Sequence, residues 1–345
     1  MSVRGGRIMR QRRKPVMGLL FGETAGIGPE LIIKALQVSE VRQMAVWVLI
    51  GDERVCKLGQ DIAGLTIPYK KIQSTDEIIT DEASIWMIDL KNIDPNTIQM
   101  GTISQKSGKI TGETLKYALE LALDKKLDGI VYAPVNKEAL HKGGLDFNDE
   151  IHFFADTFNC LERFGEINVM ENLWVTRVTS HVPIKEVSGL ISKKRVGEII
   201  RFANANLIRA GFKNPSIAVC ALNPHGGDGG LIGREEIDEI IPAINEAKQQ
   251  GLNVAGPYPA DTIFLRLQNN PIDCLVGMYH DQVQTGMKLL GFHKGVTISG
   301  GLPVVITTPA HGTAFDIVGR GIANPGAQMQ AMKLAVKMVQ NNLNS

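Results

Sequence analysis

Short apolar runs alternate along this chain with longer stretches whose apolar residues return every three or four positions, the pattern of buried strands between amphipathic helices. In the first half it predicts strands over 15–21, 45–50, 85–90 and 129–133 and helices over 29–38 and 112–126. Leu115, Ala118, Leu119, Ala122 and Leu123 fall on one face of the second helix, with lysines and glutamates on the other. The second half repeats the alternation, with strand-like runs over 175–180, 216–221 and 273–278 and helices over 193–210, 234–249 and 327–339. No internal repeat or low-complexity linker interrupts it. The pattern predicts an α/β chain with a mostly parallel sheet, its chemistry carried by strand-end loops.

Composition narrows the functional classes. A chain of 345 residues, 44% hydrophobic, is long enough for a large core and for two domains. The 37 basic and 36 acidic residues leave a net charge of +1, which provides no general field for nucleic acid. No apolar run approaches the roughly 18 residues needed to span a membrane. Cys56, Cys160, Cys220 and Cys274 lie far apart with no CxxC pair, the usage of a reducing cytoplasm. The first 14 residues carry Arg4, Arg7, Arg10, Arg12, Arg13 and Lys14 without an acidic residue, and read as a disordered, solvated tail. The apolar run 15–21 is short for a signal peptide and lacks a cleavage site, so a cytoplasmic location is expected.

Three of the seven histidines, His181, His225 and His280, each follow directly on an apolar run. A single strand-end histidine is ordinarily bonded to backbone or water. Three in the same position can converge on one divalent metal, because ligands gather outside the carboxyl ends of parallel strands. The turn Gly22-Glu23-Thr24-Ala25-Gly26-Ile27-Gly28-Pro29-Glu30 is a tight strand-to-helix turn in which Gly26 and Gly28 permit positive φ and close backbone approach. Leu31 stands where a G-x-G-x-x-G fingerprint needs its third glycine, so it is not that fingerprint.

The run His311-Gly312-Thr313-Ala314-Phe315-Asp316-Ile317, continuing through Gly319-Arg320-Gly321-Ile322-Ala323-Asn324-Pro325, resembles the nucleotide loop of the isocitrate and isopropylmalate dehydrogenases, and Gly26–Glu30 resembles their opening turn. Asn223-Pro224-His225-Gly226-Gly227, Gly233-Arg234-Glu235-Glu236, Gly256-Pro257-Tyr258-Pro259-Ala260-Asp261-Thr262 and Met278-Tyr279-His280-Asp281-Gln282 follow one another in the order found in the 4-hydroxythreonine-4-phosphate dehydrogenase family of pyridoxine biosynthesis. The motifs around Ala133-Pro134-Val135-Asn136-Lys137 and Thr179-Ser180-His181 add to a resemblance that spans nearly the whole chain.

That resemblance implies a two-domain α/β/α fold of the isocitrate/isopropylmalate dehydrogenase type, with the active site in the interdomain cleft. Residues 15–135 and 288–345 are expected to form one domain and 136–287 the other, which carries the metal ligands and dimer contacts. It implies a homodimer with shared active sites, a divalent metal on His181, His225 and His280 (zinc by ligand type, with magnesium, manganese, cobalt or nickel open), Asp261 beside the metal, and Lys288 on substrate. NAD adenosine is placed against His311, Gly312, Thr313, Asp316, Ile317 and Asn324. The implied reaction oxidises a secondary alcohol, and the resulting β-keto acid loses carbon dioxide.

Departures from the family pattern bear on substrate. The family carries Gly-His-Thr-Glu ahead of two phenylalanines, its His-Thr pair touching substrate. Here Asp149-Glu150-Ile151-His152 precede Phe153 and Phe154, and Thr297 and Ile306 stand where the family has Asn and Arg. A cation and a hydroxyl give way to a carboxylate and a hydrocarbon, and the residue best shaped to grip phosphate is gone. His293, Lys294 and Arg320 are candidate sources of replacement charge. The expected activity is therefore a metal- and NAD-dependent dehydrogenase acting on 4-hydroxythreonine 4-phosphate or, as a paralogue, on threonate or erythronate 4-phosphate or a carboxylated cis-dihydrodiol. A phosphate acyltransferase, which shares a related architecture, has no use for the three histidines or the nucleotide loop. A non-catalytic metal-binding protein is the reading left if no substrate is turned over.

Overall fold

The computed structural model describes residues 13–79, 85–147, 149–160, 162–291 and 294–343. The basic tail falls almost wholly on residues 1–12, outside the described residues, as does His293. Among the described residues twelve strands form one sheet: β1 (Val16–Leu20), β2 (Val46–Gly51), β3 (Lys70–Ile72), β4 (Ile85–Asp89), β5 (Gly129–Tyr132), β6 (Gly165–Met170), β7 (Leu173–Arg177), β8 (Ile217–Cys220), β9 (Val254–Tyr258), β10 (Cys274–Gly277), β11 (Val296–Gly300) and β12 (Val305–Pro309). Their order is β3-β4-β2-β1-β5-β12-β11-β6-β7-β10-β8-β9.

Pairing is parallel throughout both flanks and antiparallel only at β12–β11, β11–β6 and β6–β7. The mostly parallel sheet expected from sequence is present, with this antiparallel seam at its centre. β6 and β7 are joined by a two-residue hairpin turn, Glu171-Asn172, with Glu171 at φ 52°. Such turns normally announce themselves with Asn-Gly or Asp-Gly, and Glu-Asn carries no such signal.

The apolar runs of the flanking strands follow from burial on both faces. In β1, Val16 and Leu20 join one core cluster with Val46, Val48, Ile50 and Ile130, while Met17 and Leu19 join another with Trp47, Leu49 and Val131. Helices cover both faces. Gly28–Gln37 and Gln105–Leu123 lie near where expected, the latter starting a turn or two earlier because Ser104 caps it through Ser107 N–H. The expected helix over 234–249 is a wider π-type turn over Glu236–Ile240 followed by an α-helix over Ile241–Gln249.

The opening turn needs its glycines for close approach. Gly26 and Gly28 do not adopt positive φ, contrary to expectation; Gly22 does, at 69°. A Cβ on Gly28 would stand 2.0 Å from the Phe21 carbonyl oxygen. Gly28→Ala is therefore expected to destabilise the fold by about 1–3 kcal/mol, the usual cost of overpacking. Urea unfolding measures this, and an unchanged midpoint would contradict the packing described.

Candidate active-site cleft

β7, β10 and β8 are consecutive in the sheet and run parallel, so their carboxyl ends open at the same edge. His181 lies just beyond β7, His280 beyond β10 as the first residue of the helix His280–Gly291, and His225 beyond β8. Asp261, exposed in the first turn of the helix Ala260–Asn269, follows β9, the other neighbour of β8. The rings of His181 and His280 stand 5.6 Å apart, centroid to centroid, inclined at 40°. His280 Nδ1 is 2.7 Å from Asp281 Oδ1, a contact that orients the ring. Burial pushes the His181 pKa down, and Lys137, Arg177 and His280 add to this against the opposing charge of Glu166. A neutral imidazole with an available lone pair results.

His225 stands apart from that pair. It opens a left-handed run from His225 to Gly229, with φ values of 53, 71, 83, 44 and 68°, and its Nδ1 is 3.4 Å from Asp228 Oδ2. His225 and Asp228 are unusual in this region, which persists only where the surroundings impose it. Glu236, itself buried, does so by accepting the amides of Leu222 (2.8 Å) and Asn223 (2.7 Å) and the Asn223 side-chain amide (2.9 Å). The His225 side chain is 71% exposed. Among the described residues no group of three or more His, Cys, Asp or Glu side chains is placed to hold a metal ion within one chain.

Next to the histidine pair is a cavity of about 220 Å³ whose wall includes Lys137, Glu150, Ile151, Glu166, Thr297 and His311, with Gly312 at its rim. A smaller cavity of about 100 Å³ shares Glu166 and Ala310 with it and holds His280, Gln284 and Lys288. Residues read from distant parts of the sequence as substrate, nucleotide and metal contacts thus line adjoining spaces. Ile306 is not among them: it is fully buried in the core cluster that contains Ile130 and Tyr132, so the position carries packing here. Lys294 is engaged with Glu171 at 2.7 Å, and neither it nor Arg320 lines this cleft.

Register builds the wall. Thr297 pairs with both Asn168 and Thr308, and Ser299 with Glu166, so alternate residues of β11, β6 and β12 present polar groups on one face. Behind them lies a buried network absent from the sequence-based expectations. Arg177, 5% exposed, donates to Glu166, to Asn168 Oδ1 at 2.7 Å and to Ser180 Oγ at 3.0 Å, and Asn168 donates to Thr297 Oγ1 at 3.1 Å. Burial pushes the Glu166 carboxyl up, but the Arg177 charge and the hydrogen bonds from Asn168 and Arg177 prevail and hold it below the usual range. Glu150 has only the Lys137 charge and its own backbone amide to set against burial, and they do not prevail. Burial pushes it up against the attraction of Lys137, Asp149 and Glu166 push it further, and one carboxylate oxygen is buried without a partner.

The glycine-rich loop 311–325 packs on the opening helix. Ile27 N–H donates to the Thr313 carbonyl at 3.1 Å, and Ile317 packs with Ile27, Leu31 and Ala323. Glu30 accepts Ala323 N–H at 2.8 Å, and Lys34 donates to the Gly321 and Ala323 carbonyls at 2.8 and 2.9 Å. Sequence reasoning missed both roles, although an i, i+4 Glu–Lys pair was visible. Asp316 is exposed and open to a ligand, whereas Asn324 Oδ1 accepts Gly326 N–H at 2.8 Å at the start of the last helix.

The family model described as pyridoxal phosphate biosynthetic protein PdxA matches residues 43–335. A Pseudomonas aeruginosa protein named "Putative 4-hydroxythreonine-4-phosphate dehydrogenase 2" is 46% identical over 94% of this chain and 97% of its own. An Oceanobacillus iheyensis protein named "Putative D-threonate 4-phosphate dehydrogenase" is 39% identical over 94% of this chain and 98% of its own. A crystal structure of 4-hydroxythreonine-4-phosphate dehydrogenase from Klebsiella pneumoniae superposes with a TM-score of 0.83 at 31% identity, covering 96% of this chain and all (100%) of the other.

The environment of Glu150 sets a pH dependence. Its folded pKa lies above the unfolded value, so the folded state holds the proton longer, and stability falls as pH rises from the ordinary glutamate value of 4.5 through the folded pKa. Glu150→Gln is expected to raise the unfolding temperature at pH 7 and to give no gain at pH 3.5. An equal effect at both pH values would rule out ionisation as the cause.

Proposed function

The chain belongs to the PdxA family, and we propose that it is an NAD-dependent, divalent-metal-dependent dehydrogenase that oxidises the secondary alcohol of a small hydroxy acid, with loss of carbon dioxide from the β-keto acid formed. The observation that carries this reading is the delivery of His181, His280 and His225 to one sheet edge by three adjacent parallel strands. The relatives' names put 4-hydroxythreonine 4-phosphate and D-threonate 4-phosphate first among acids of this size.

The donor set suits a divalent cation. His181 is held neutral, its ring faces that of His280, and imidazole ligands fit zinc, cobalt, nickel or manganese. His225, largely exposed on a braced loop, is free to complete a site together with a second copy of the chain. Exposed apolar side chains on the surrounding elements, Leu231 (86%), Leu265 (61%) and Leu289 (85%), favour such a homodimer. Bound there, the cation supplies Lewis acidity that lowers the pKa of a substrate hydroxyl.

The chain's own groups divide the remaining work. Lys288, beside His280 in the smaller cavity, offers an ammonium to negative charge on the substrate. Asp261 at the same sheet edge is the candidate proton acceptor. Thr297, fixed by Asn168, orients the substrate from the larger cavity. His311 and Gly312 connect that cavity to the loop that would take NAD, where exposed Asp316 can accept the adenosine hydroxyls.

His225→Ala is expected to abolish NADH formation while leaving the circular dichroism spectrum and unfolding midpoint near wild type, because the side chain touches little core. Full turnover in that variant would remove His225 from the site. Asp316→Ala should raise the KM for NAD far more than it lowers kcat, since adenosine contacts are equal in ground and transition states. Steady-state kinetics with varied NAD decide this, and a loss confined to kcat would contradict the assignment.

A further inference from the structure

We infer that Lys137 is a substrate-binding residue, the cation that holds the phosphate ester in the larger cavity now that Ile306 stands in place of an arginine. The inference rests on the dehydrogenase reading above and names a further binding residue of that same site. The charges in the cavity wall leave one group uncommitted. Glu166 is matched by Arg177, which donates to it from behind the wall, and Asp149 is held by His152, whose N–H it accepts at 3.1 Å. Burial pushes the Glu150 carboxyl toward its neutral form. Among the described residues Lys137 is the single lysine or arginine lining the cavity, and its ammonium has no ion-pair partner. Its charge is nonetheless felt by Glu150, Glu166 and His181, so it stands between the substrate wall and the histidine pair. An ammonium whose carboxylate neighbours are answered elsewhere is left to an anionic ligand.

The fold holds Lys137 on a fixed mount. It opens the short helix Lys137–Lys142, whose cap Asn136 accepts Ala139 N–H at 2.8 Å. Ala139 and Leu140 are buried, Leu140 in the same core cluster as Tyr132 at the end of β5. The backbone is thus anchored while the Lys137 side chain stays exposed. Thr297 lines the same cavity; its Oγ1 accepts from Asn168 at 3.1 Å, which leaves its O–H to donate to the same anion. The smaller cavity beside it has an ammonium of its own, that of Lys288. Two adjoining cavities with one ammonium each suit an acid that is anionic at both ends. In a hydroxy-acid 4-phosphate the carboxylate and the ester flank the carbon to be oxidised. The roomier cavity, about 220 Å³ against about 100 Å³, takes the bulkier ester.

The test compares D-threonate 4-phosphate with D-threonate on the Mn²⁺-loaded protein, as wild type, Lys137→Met and Lys137→Arg. Binding is read by calorimetry, and turnover separately by NADH absorbance after NAD is added. Lys137→Met is expected to weaken binding of the ester by about ten- to hundredfold, the span of one charge-assisted hydrogen bond, with little change for the free acid. Lys137→Arg, which restores a cation, should recover most of the ester affinity, and both variants should unfold at the wild-type midpoint. Ester binding unchanged in Lys137→Met, or weakened equally with that of the free acid, would overturn the inference. So would a wild-type protein that binds the ester no more tightly than the acid. NADH formation alongside unchanged ester binding in Lys137→Met would leave the dehydrogenase reading standing without the inference. The expected binding pattern without NADH would support the Lys137 assignment and count against the dehydrogenase reading alone.

Discussion

Parallel pairing of β7 with β10 and of β10 with β8 is the constraint on which the site depends. Parallel neighbours share a polarity, so whatever follows their carboxyl ends emerges at one edge. Were one of the three reversed, its histidine would leave the sheet at the opposite edge. The antiparallel seam beside them has a complementary role. Its register brings Glu166, Thr297, Ser299 and Thr308 to one face and so makes a polar wall within reach of the histidines. Strand direction sets where the histidines emerge, and strand register sets what they face.

The distant ends of the sequence meet through a second, smaller device. Lys34 and Glu30 tie the backbone of Gly321 and Ala323 to the opening helix, while Gly26 lets the turn before that helix lie close against Thr313 of the loop. The loop is thereby fixed on its packed side and left exposed at Asp316, the arrangement a nucleotide-binding loop requires. The strand β12, from which the loop departs, pairs with β5, so His311 reaches the same cavity that Lys137 enters from the end of β5.

Much of this was legible in the sequence, for identifiable reasons. Strands buried on both faces, such as 45–50 and 129–133, write themselves as unbroken apolar runs, and the three histidines betray themselves by following such runs. The seam did not show, because β6 and β11 intersperse Glu166, Asn168, Thr297 and Ser299 with apolar residues and their partners are remote in sequence. Arg177 was invisible as a site residue for the same reason: it ends an ordinary strand, and only the pairing of β6 with β7 gives it Glu166. The substitution at Ile306 was read as a lost substrate contact, whereas its side chain lies in the core beneath the cavity. The separation of His225 from the other two histidines depends on a left-handed loop that no spacing rule foretells.

The central claim is that the strand-end histidines together form one divalent-metal site. Titration of the metal-stripped protein with Co²⁺, followed by visible absorption, tests it without reference to substrate. The account predicts saturation at about one equivalent per chain, with the spectrum lost alike in His181→Ala, His225→Ala and His280→Ala. A Co²⁺ spectrum that survives all three substitutions, or no stoichiometric binding in the wild-type protein, would contradict it.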